Sequence, residues 1–226
     1  MARARILPPT VQSSVVAPGV VHLRVRQFLE NTPSSVIAEL DKIRKKGALN
    51  GIVLDLRNSP GGLLSSSIEL AAMLLPEDAL IASTTGRLAD AQQTFRANPL
   101  AIDRLDRQIP APWPAYLRTV PLIVLVNQGT ASGSEIVAAA LRDNGRARLV
   151  GSKTFGRGSI QTVRALGPDA AIKLTTAMVL TPAGQTFHRK GLEPDVLAPD
   201  LQSALEVGTP ADKAMLKALD ILAGKV

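Results

Sequence analysis

Three short segments carry residue types that could do chemistry. The first is GTASGSE, Gly129–Glu135. Small residues ahead of a helix let a serine hydroxyl stand clear of the chain, and helix-start amides can stabilise an oxyanion. Ser132 and Glu135 also form the S-x-x-E of a capping box, and Ser134 is an equally available cap. By itself the segment therefore does not choose between a nucleophile and a helix start. The second is RNSPGG, Arg57–Gly62. Pro-Gly-Gly makes a tight turn, and its glycines also let backbone N–H groups approach a substrate carbonyl. The third is KTFGRGSIQ, Lys153–Gln161. Gly151-Ser152-Lys153-Thr154 has a superficial likeness to a phosphate loop, but that motif needs glycine directly before the lysine, and Ser152 intervenes. Nucleotide binding is excluded on that ground. Read singly, the first segment serves equally as a helix cap and the second as a plain turn.

The elements that must position them are legible as βα units. Gly51–Leu56 (GIVLDL) is a short apolar run, as expected of a buried parallel strand. It breaks at RNSPGG, and Leu63–Leu75 resumes a helical pattern. Pro121–Asn127 (PLIVLVN) repeats the design, followed by GTASG and a helix from about Ser134 to Leu141. Val20–Val25 alternates as a strand, and Val36, Ile37, Leu40 and Ile43 fall at helical spacing, with Gly47 as the stop. Arg148–Gly151 and Ile172–Leu180 read as further strands, and Asp212–Leu222 as a closing helix. Asn98–Thr119 holds four prolines with Trp113 and Tyr116. Its prolines predict a mobile loop over the cleft. Alternating strands and helices predict an α/β fold with a largely parallel sheet, and ligands of such sheets bind at the carboxyl ends of the strands.

Composition narrows the classes. The chain has 226 residues, 46% hydrophobic and 20% charged, enough for one domain with a sizeable core. No apolar run reaches the roughly 20 residues of a membrane span. The first residues contain arginines but no apolar signal core. Zero cysteines exclude a disulfide scaffold, a thiolate zinc site and a cysteine nucleophile. His22 and His188 lack metal-site spacing, and a Ser-His-Asp triad would have to use one of them. The net charge of +7 points toward anionic partners, but the basic residues are scattered and aromatics are only 3%, so nucleic acid is not expected.

LDLRNSPGG (Leu54–Gly62), VLVNQGTASGSEI (Val124–Ile136), LVGSKTFGRGSIQ (Leu149–Gln161) and GLEPDV (Gly191–Val196) occur in the order found in the C-terminal processing peptidases, also called tail-specific proteases. From about Gly19 to Leu222 the chain resembles that family. The resemblance implies a ClpP/crotonase-like α/β core and a serine nucleophile with a lysine base. The substrates it implies are partly unfolded or tail-marked polypeptides, met outside the cytoplasm in the periplasm or cell envelope. No metal, nucleotide or flavin is implied. Carried over by position, the nucleophile is Ser132. The oxyanion donors are the N–H of Gly133 and one from Gly61-Gly62, with Gly62 preferred. Gln161 is the glutamine that orients the base. The base stands fourth in the family's TFGKG; this chain has TFGRG, which puts Arg157 there.

Arg157 is the departure that matters. A base must exist deprotonated at working pH, and burial can tune a lysine to do so. A guanidinium stays protonated in proteins. Lys153 does not fill the gap, because a lysine there is ordinary in the family without serving as base. The expectation is a serine endopeptidase core that is weakly active or inactive as written. The alternative is a non-catalytic pseudoprotease that binds extended peptides. A third reading keeps the fold and gives crotonase-like acyl-CoA chemistry, which has no need of SGSE or TFGRG. Members of the family carry a PDZ domain ahead of this core. The organisation expected here is a connecting segment over 1–18 and a peptidase core over 19–226, with 98–119 as a Pro-rich loop and no PDZ domain. The resemblance leaves the oligomeric state open.

Overall fold

The computed structural model describes residues 9–98, 113–167, 170–198, 209 and 211–225. In chain order its strands are β1 (Val11–Ala17), β2 (Val20–Val25), β3 (Gly51–Asp55), β4 (Leu80–Gly86), β5 (Thr94–Arg96), β6 (Leu122–Val126), β7 (Arg148–Gly151), β8 (Ser159–Gly167), β9 (Ala170–Leu180) and β10 (Val196–Leu197). The helices are α1 (Thr32–Arg44), α2 (Leu64–Leu74), α3 (Tyr116–Thr119), α4 (Gly133–Asp143) and α5 (Lys213–Leu222).

Two apolar runs make the centre of the main sheet. Every residue of β3 and β6 is buried, as parallel strands covered on both faces require. The sheet order is β1-β2-β3-β6-β7-β10; only the β1–β2 pair is antiparallel. Alternation along the strands sorts their side chains into two layers. Ile52, Leu54, Val124 and Val126 face α1, α2 and α4, while Val53, Ile123, Leu125 and Val150 face α5. A second, antiparallel sheet runs β5-β4-β9-β8. This is the α/β arrangement read from the sequence.

Several elements were not. Val11–Ala17, inside the stretch expected only to connect, pairs with β2 and extends the main sheet. β4, β5 and β8 also went unread. The expectation of a loop over 98–119 is corrected in its described part. Trp113 is 7% exposed and Leu117 fully buried, so this end joins the core rather than covering the cleft. The Tyr116 hydroxyl reaches Asp41 at 3.2 Å, and the Arg44 guanidinium lies 4.0 Å from its ring centre. Burial and the Asp41 charge push the Tyr116 phenol up to about 12. Arg146 donates to the carbonyls of Leu74, Leu117 and Val120, which pins the same segment from behind. Residues 99–112 lie outside the described residues. No described helix is long and apolar enough to cross a membrane.

Candidate active site

Both predicted βα turns leave the carboxyl ends of the two central strands, and side chains stitch them together. Asn127 accepts the N–H groups of Asn58 and Gly129 and donates to the Asn58 side chain at 3.1 Å. Thr130 donates to the Leu56 carbonyl, and the hydroxyls of Ser134 and Ser59 meet at 2.8 Å. The Ala131 N–H donates to the Ser59 carbonyl at 2.9 Å. Asn127, Thr130, Ser59 and Ser134 are buried, so each of their bonds also removes the cost of a stranded polar atom.

Below these turns lies a buried ionic network. Arg57 forks between Asp55 and Asp212, with nitrogen–oxygen distances of 2.8 Å to each, and His22 Nε2 meets the same Asp55 Oδ2 at 2.9 Å. Asp212 in turn accepts the Met215 N–H and caps α5. Burial alone would raise the Asp55 carboxyl, but the His22 and Arg57 hydrogen bonds hold it well below the usual carboxylate range. Burial opposes the charge on Arg57 too, and the two aspartates more than restore it.

The serine turn is sharply bent and leaves Ser132 half-buried at the cleft. Ser132 adopts φ 56°, ψ −117°, the first corner of a type II′ turn, and the Ser134 N–H closes it on the Ala131 carbonyl at 3.2 Å. That conformation costs a non-glycine residue about 1–3 kcal/mol and is kept only where surroundings impose it. α4 begins at the next residue, so the positive end of its dipole is at the serine. Gly61 packs against this turn so closely that a Cβ would stand 2.6 Å from the Gly133 nitrogen. At Gly62 a Cβ would collide with the Phe28 carbonyl. Phe28 holds this strip by two main-chain bonds, its N–H to Gly61 at 3.0 Å and its carbonyl from Leu63 at 2.9 Å. Neither bond uses the Gly62 N–H. Among the described residues, the amides of Gly62 and Gly133 have no acceptor, the state an oxyanion hole requires before substrate arrives.

Glu135 was read only as a capping residue, and the structure gives it a larger part. It is fully buried and accepts four hydrogen bonds. One comes from the Ser132 N–H at 2.9 Å, the cap contact. The others come from the Thr154 hydroxyl, the Gly156 N–H at 2.7 Å and the Arg157 N–H at 2.8 Å. Thr154 also accepts the Leu192 N–H. One carboxylate thus fixes the serine turn against the loop that carries Arg157. Capping spacing is visible in sequence; a partner 19 to 22 residues away is not.

Ser132, Gly133, Gly62, Arg157 and Gln161 line a single cleft of about 820 Å³. Their side-chain interactions are less complete than their placement. Arg157 is exposed and stacks on Phe155, with its guanidinium carbon 4.8 Å from the ring centre. No hydrogen bond joins it to Gln161, which stands on β8 in the cleft wall. Lys153 pairs with Glu193 at 2.7 Å and does not line the cleft. His22 belongs to the Asp55 network. His188 does line the cleft, with its Nδ1 buried and unpartnered. Among the described residues no cluster of His, Asp and Glu could hold a metal ion.

Comparison with known proteins gives this geometry its setting. The chain is 41% identical over 223 residues to a carboxyl-terminal-processing protease of Synechocystis, covering 97% of this chain and 48% of that protein. To a carboxy-terminal processing protease of Bacillus subtilis it is 32% identical, covering 84% and 37%. The chain thus spans about half the length, or less, of these relatives. The solved photosystem II D1 C-terminal processing protease superposes with a TM-score of 0.68 at 27% identity, covering 92% of this chain and 55% of that one. The tricorn protease, at 15% identity and a TM-score of 0.51, shares the fold alone. The model of peptidase family S41 matches residues 19–198, and with these relatives it shows that the chain belongs to that family of proteases.

Proposed function

We propose that this chain is the core of a carboxyl-terminal-processing serine endopeptidase whose base position is filled by a residue that cannot accept a proton. The observation that carries the reading is the meeting of Ser132 with the two free amides of Gly62 and Gly133 in one cleft. In this scheme the Ser132 oxygen attacks the scissile carbonyl, the carbonyl oxygen becomes an oxyanion held by the two amides, and its collapse expels the amine to leave an acyl-enzyme. Water then releases the acyl group. Each half needs a group to take a proton and return it. In the family arrangement a lysine at 157 would do so, steadied by Gln161. Arg157 holds the place as a permanent cation. The substrates would be partly unfolded polypeptides met outside the cytoplasm.

The arginine stacked on Phe155 favours a second reading, a peptide-binding pseudoprotease that keeps the cleft and has lost the chemistry. One experiment separates the two. Wild type, Arg157→Lys and Arg157→Lys/Ser132→Ala are assayed on the same unfolded protein, such as casein. Restored general-base catalysis should raise the rate by about 10²–10⁴-fold in the single variant, and the double variant should return it to background. A folded single variant with no gain over the double one would leave only the binding module.

A further inference from the structure

Three cations stand in the wall of the cleft: Arg157, Lys173 on β9, and Arg189 in the turn that follows Phe187. Among the described residues, no aspartate or glutamate lines it. The site's own acid, Glu135, lies behind the wall with its oxygens saturated by four donors. None of the three cations pairs with a described carboxylate, whereas Lys153, Arg142 and Lys42 each do. Between them the lining is mixed: Leu63, Ile136, Phe155, Ile160 and Val179 alternate with uncharged polar groups such as Ser159 and Gln161.

Two of these cations are presented by design of the backbone. Arg189 has φ 59°, an uncommon conformation for a residue with a side chain, and its N–H donates to the Gly156 carbonyl at 2.7 Å. The turn that displays it is therefore docked on the Arg157 loop. Lys173 pairs in register with Val163, two residues beyond Gln161 on β8. Side chains two apart share a face of a strand, so Lys173 prolongs the wall that Gln161 begins. Like charges gathered around a concave, partly apolar surface focus a field into it.

From this we infer that the cleft selects polypeptide segments in which carboxylates flank an apolar residue, with Lys173 and Arg189 as the residues that set the preference. The inference rests on the peptidase reading and names its substrate class. Protein rather than nucleic acid is the fit, because the lining carries a single phenyl ring, Phe155, with Arg157 over one face, and so offers no series of rings on which successive bases could stack.

The test is binding to the Ser132→Ala protein, which separates recognition from turnover. Three dye-labelled unfolded peptides share one apolar centre and carry glutamate, serine or lysine flanks; anisotropy gives their affinities. The acidic peptide should bind roughly tenfold tighter than the neutral one, the size of two or three exposed ion pairs, and the basic peptide weakest. Raising ionic strength from about 0.1 M to 1 M shortens the screening length from roughly 10 Å to 3 Å and should erase most of the difference. Lys173→Glu/Arg189→Glu should reverse the order while leaving the neutral peptide within about twofold, since its apolar contacts remain. Equal binding of all three peptides, or a preference that survives the double reversal, overturns the inference and leaves the peptidase reading standing. Binding of none of them removes both. A single-stranded oligonucleotide that displaces the acidic peptide at equal concentration would show a site for polyanions instead.

Discussion

The two walls of the cleft are built to different standards. The serine wall grows from β3 and β6, whose residues are all buried, and its two turns are bonded to each other and to the Arg57 network. The facing wall includes β8 and β9, a ribbon whose residues 161–167 and 170–175 are all exposed. Val163, Leu166 and Leu174 stand 63%, 69% and 46% exposed along it. A two-stranded ribbon has little stability of its own, so its geometry is fixed chiefly where it joins β4. Ser132, Gly62 and Gly133 are therefore held firmly, while Gln161 and Lys173 stand on the part of the protein with least to hold it. Glu135 is the bridge, tying the serine turn to the loop that carries Arg157 but not to the ribbon.

Substitutions should expose that asymmetry. The largest loss should come from Arg57→Ala, which removes the cation shared by the buried carboxylates of Asp55 and Asp212; breaking such a pair costs about 3–5 kcal/mol. Urea unfolding should show the midpoint falling accordingly. Glu135→Gln keeps the shape but removes one acceptor oxygen, leaving donors of the serine turn or the Arg157 loop unmet at about 1–3 kcal/mol. Its unfolding midpoint should lie between those of wild type and Arg57→Ala.

A smaller effect should appear on acidification. Because the folded Asp55 carboxyl lies below its unfolded value of about 3.9, its contribution is fully present above that pH. It drains away as pH falls below about 4, toward the folded value. Urea midpoints at neutral pH and near pH 3 should therefore diverge in wild type, and by less in Asp55→Asn. Least of all should follow from Leu166→Ser or Leu174→Ser on the ribbon, within about 0.5 kcal/mol. A ribbon variant that destabilises as much as Glu135→Gln would erase the contrast between the walls.

How legible this was in the sequence follows the same division. β3 and β6 are buried on both faces, so they stand out as apolar runs, and the glycine turns after them mark the site. β8 is exposed over most of its length, which leaves no buried face to produce a pattern; it was seen as a motif, not as a strand. In β4, the Ser83-Thr84-Thr85 stretch reads as polar although Thr84 is buried, with its hydroxyl donating to the Ala91 carbonyl. The residues assigned by resemblance to the family's motifs, Ser132, Gly133, Gly62, Arg157 and Gln161, come from separate segments that the fold brings to one cleft. The Arg57–Asp212 pair spans 155 positions, and only the fold brings such partners together. Glu135 shows a subtler limit, since one spacing served both a helix cap and a four-donor hub.

The central claim is that Ser132 is a nucleophile lacking its proton acceptor. A fluorophosphonate probe tests it most directly, because the serine oxygen displaces fluoride at phosphorus and the hydroxyl proton must go to a base. Intact-mass spectrometry on wild type and Arg157→Lys, followed by peptide mapping, reads the adduct and its position. The account predicts little adduct on wild type and rapid, stoichiometric labelling of Arg157→Lys at Ser132. Equal labelling of both proteins, or an adduct at another serine, would contradict it.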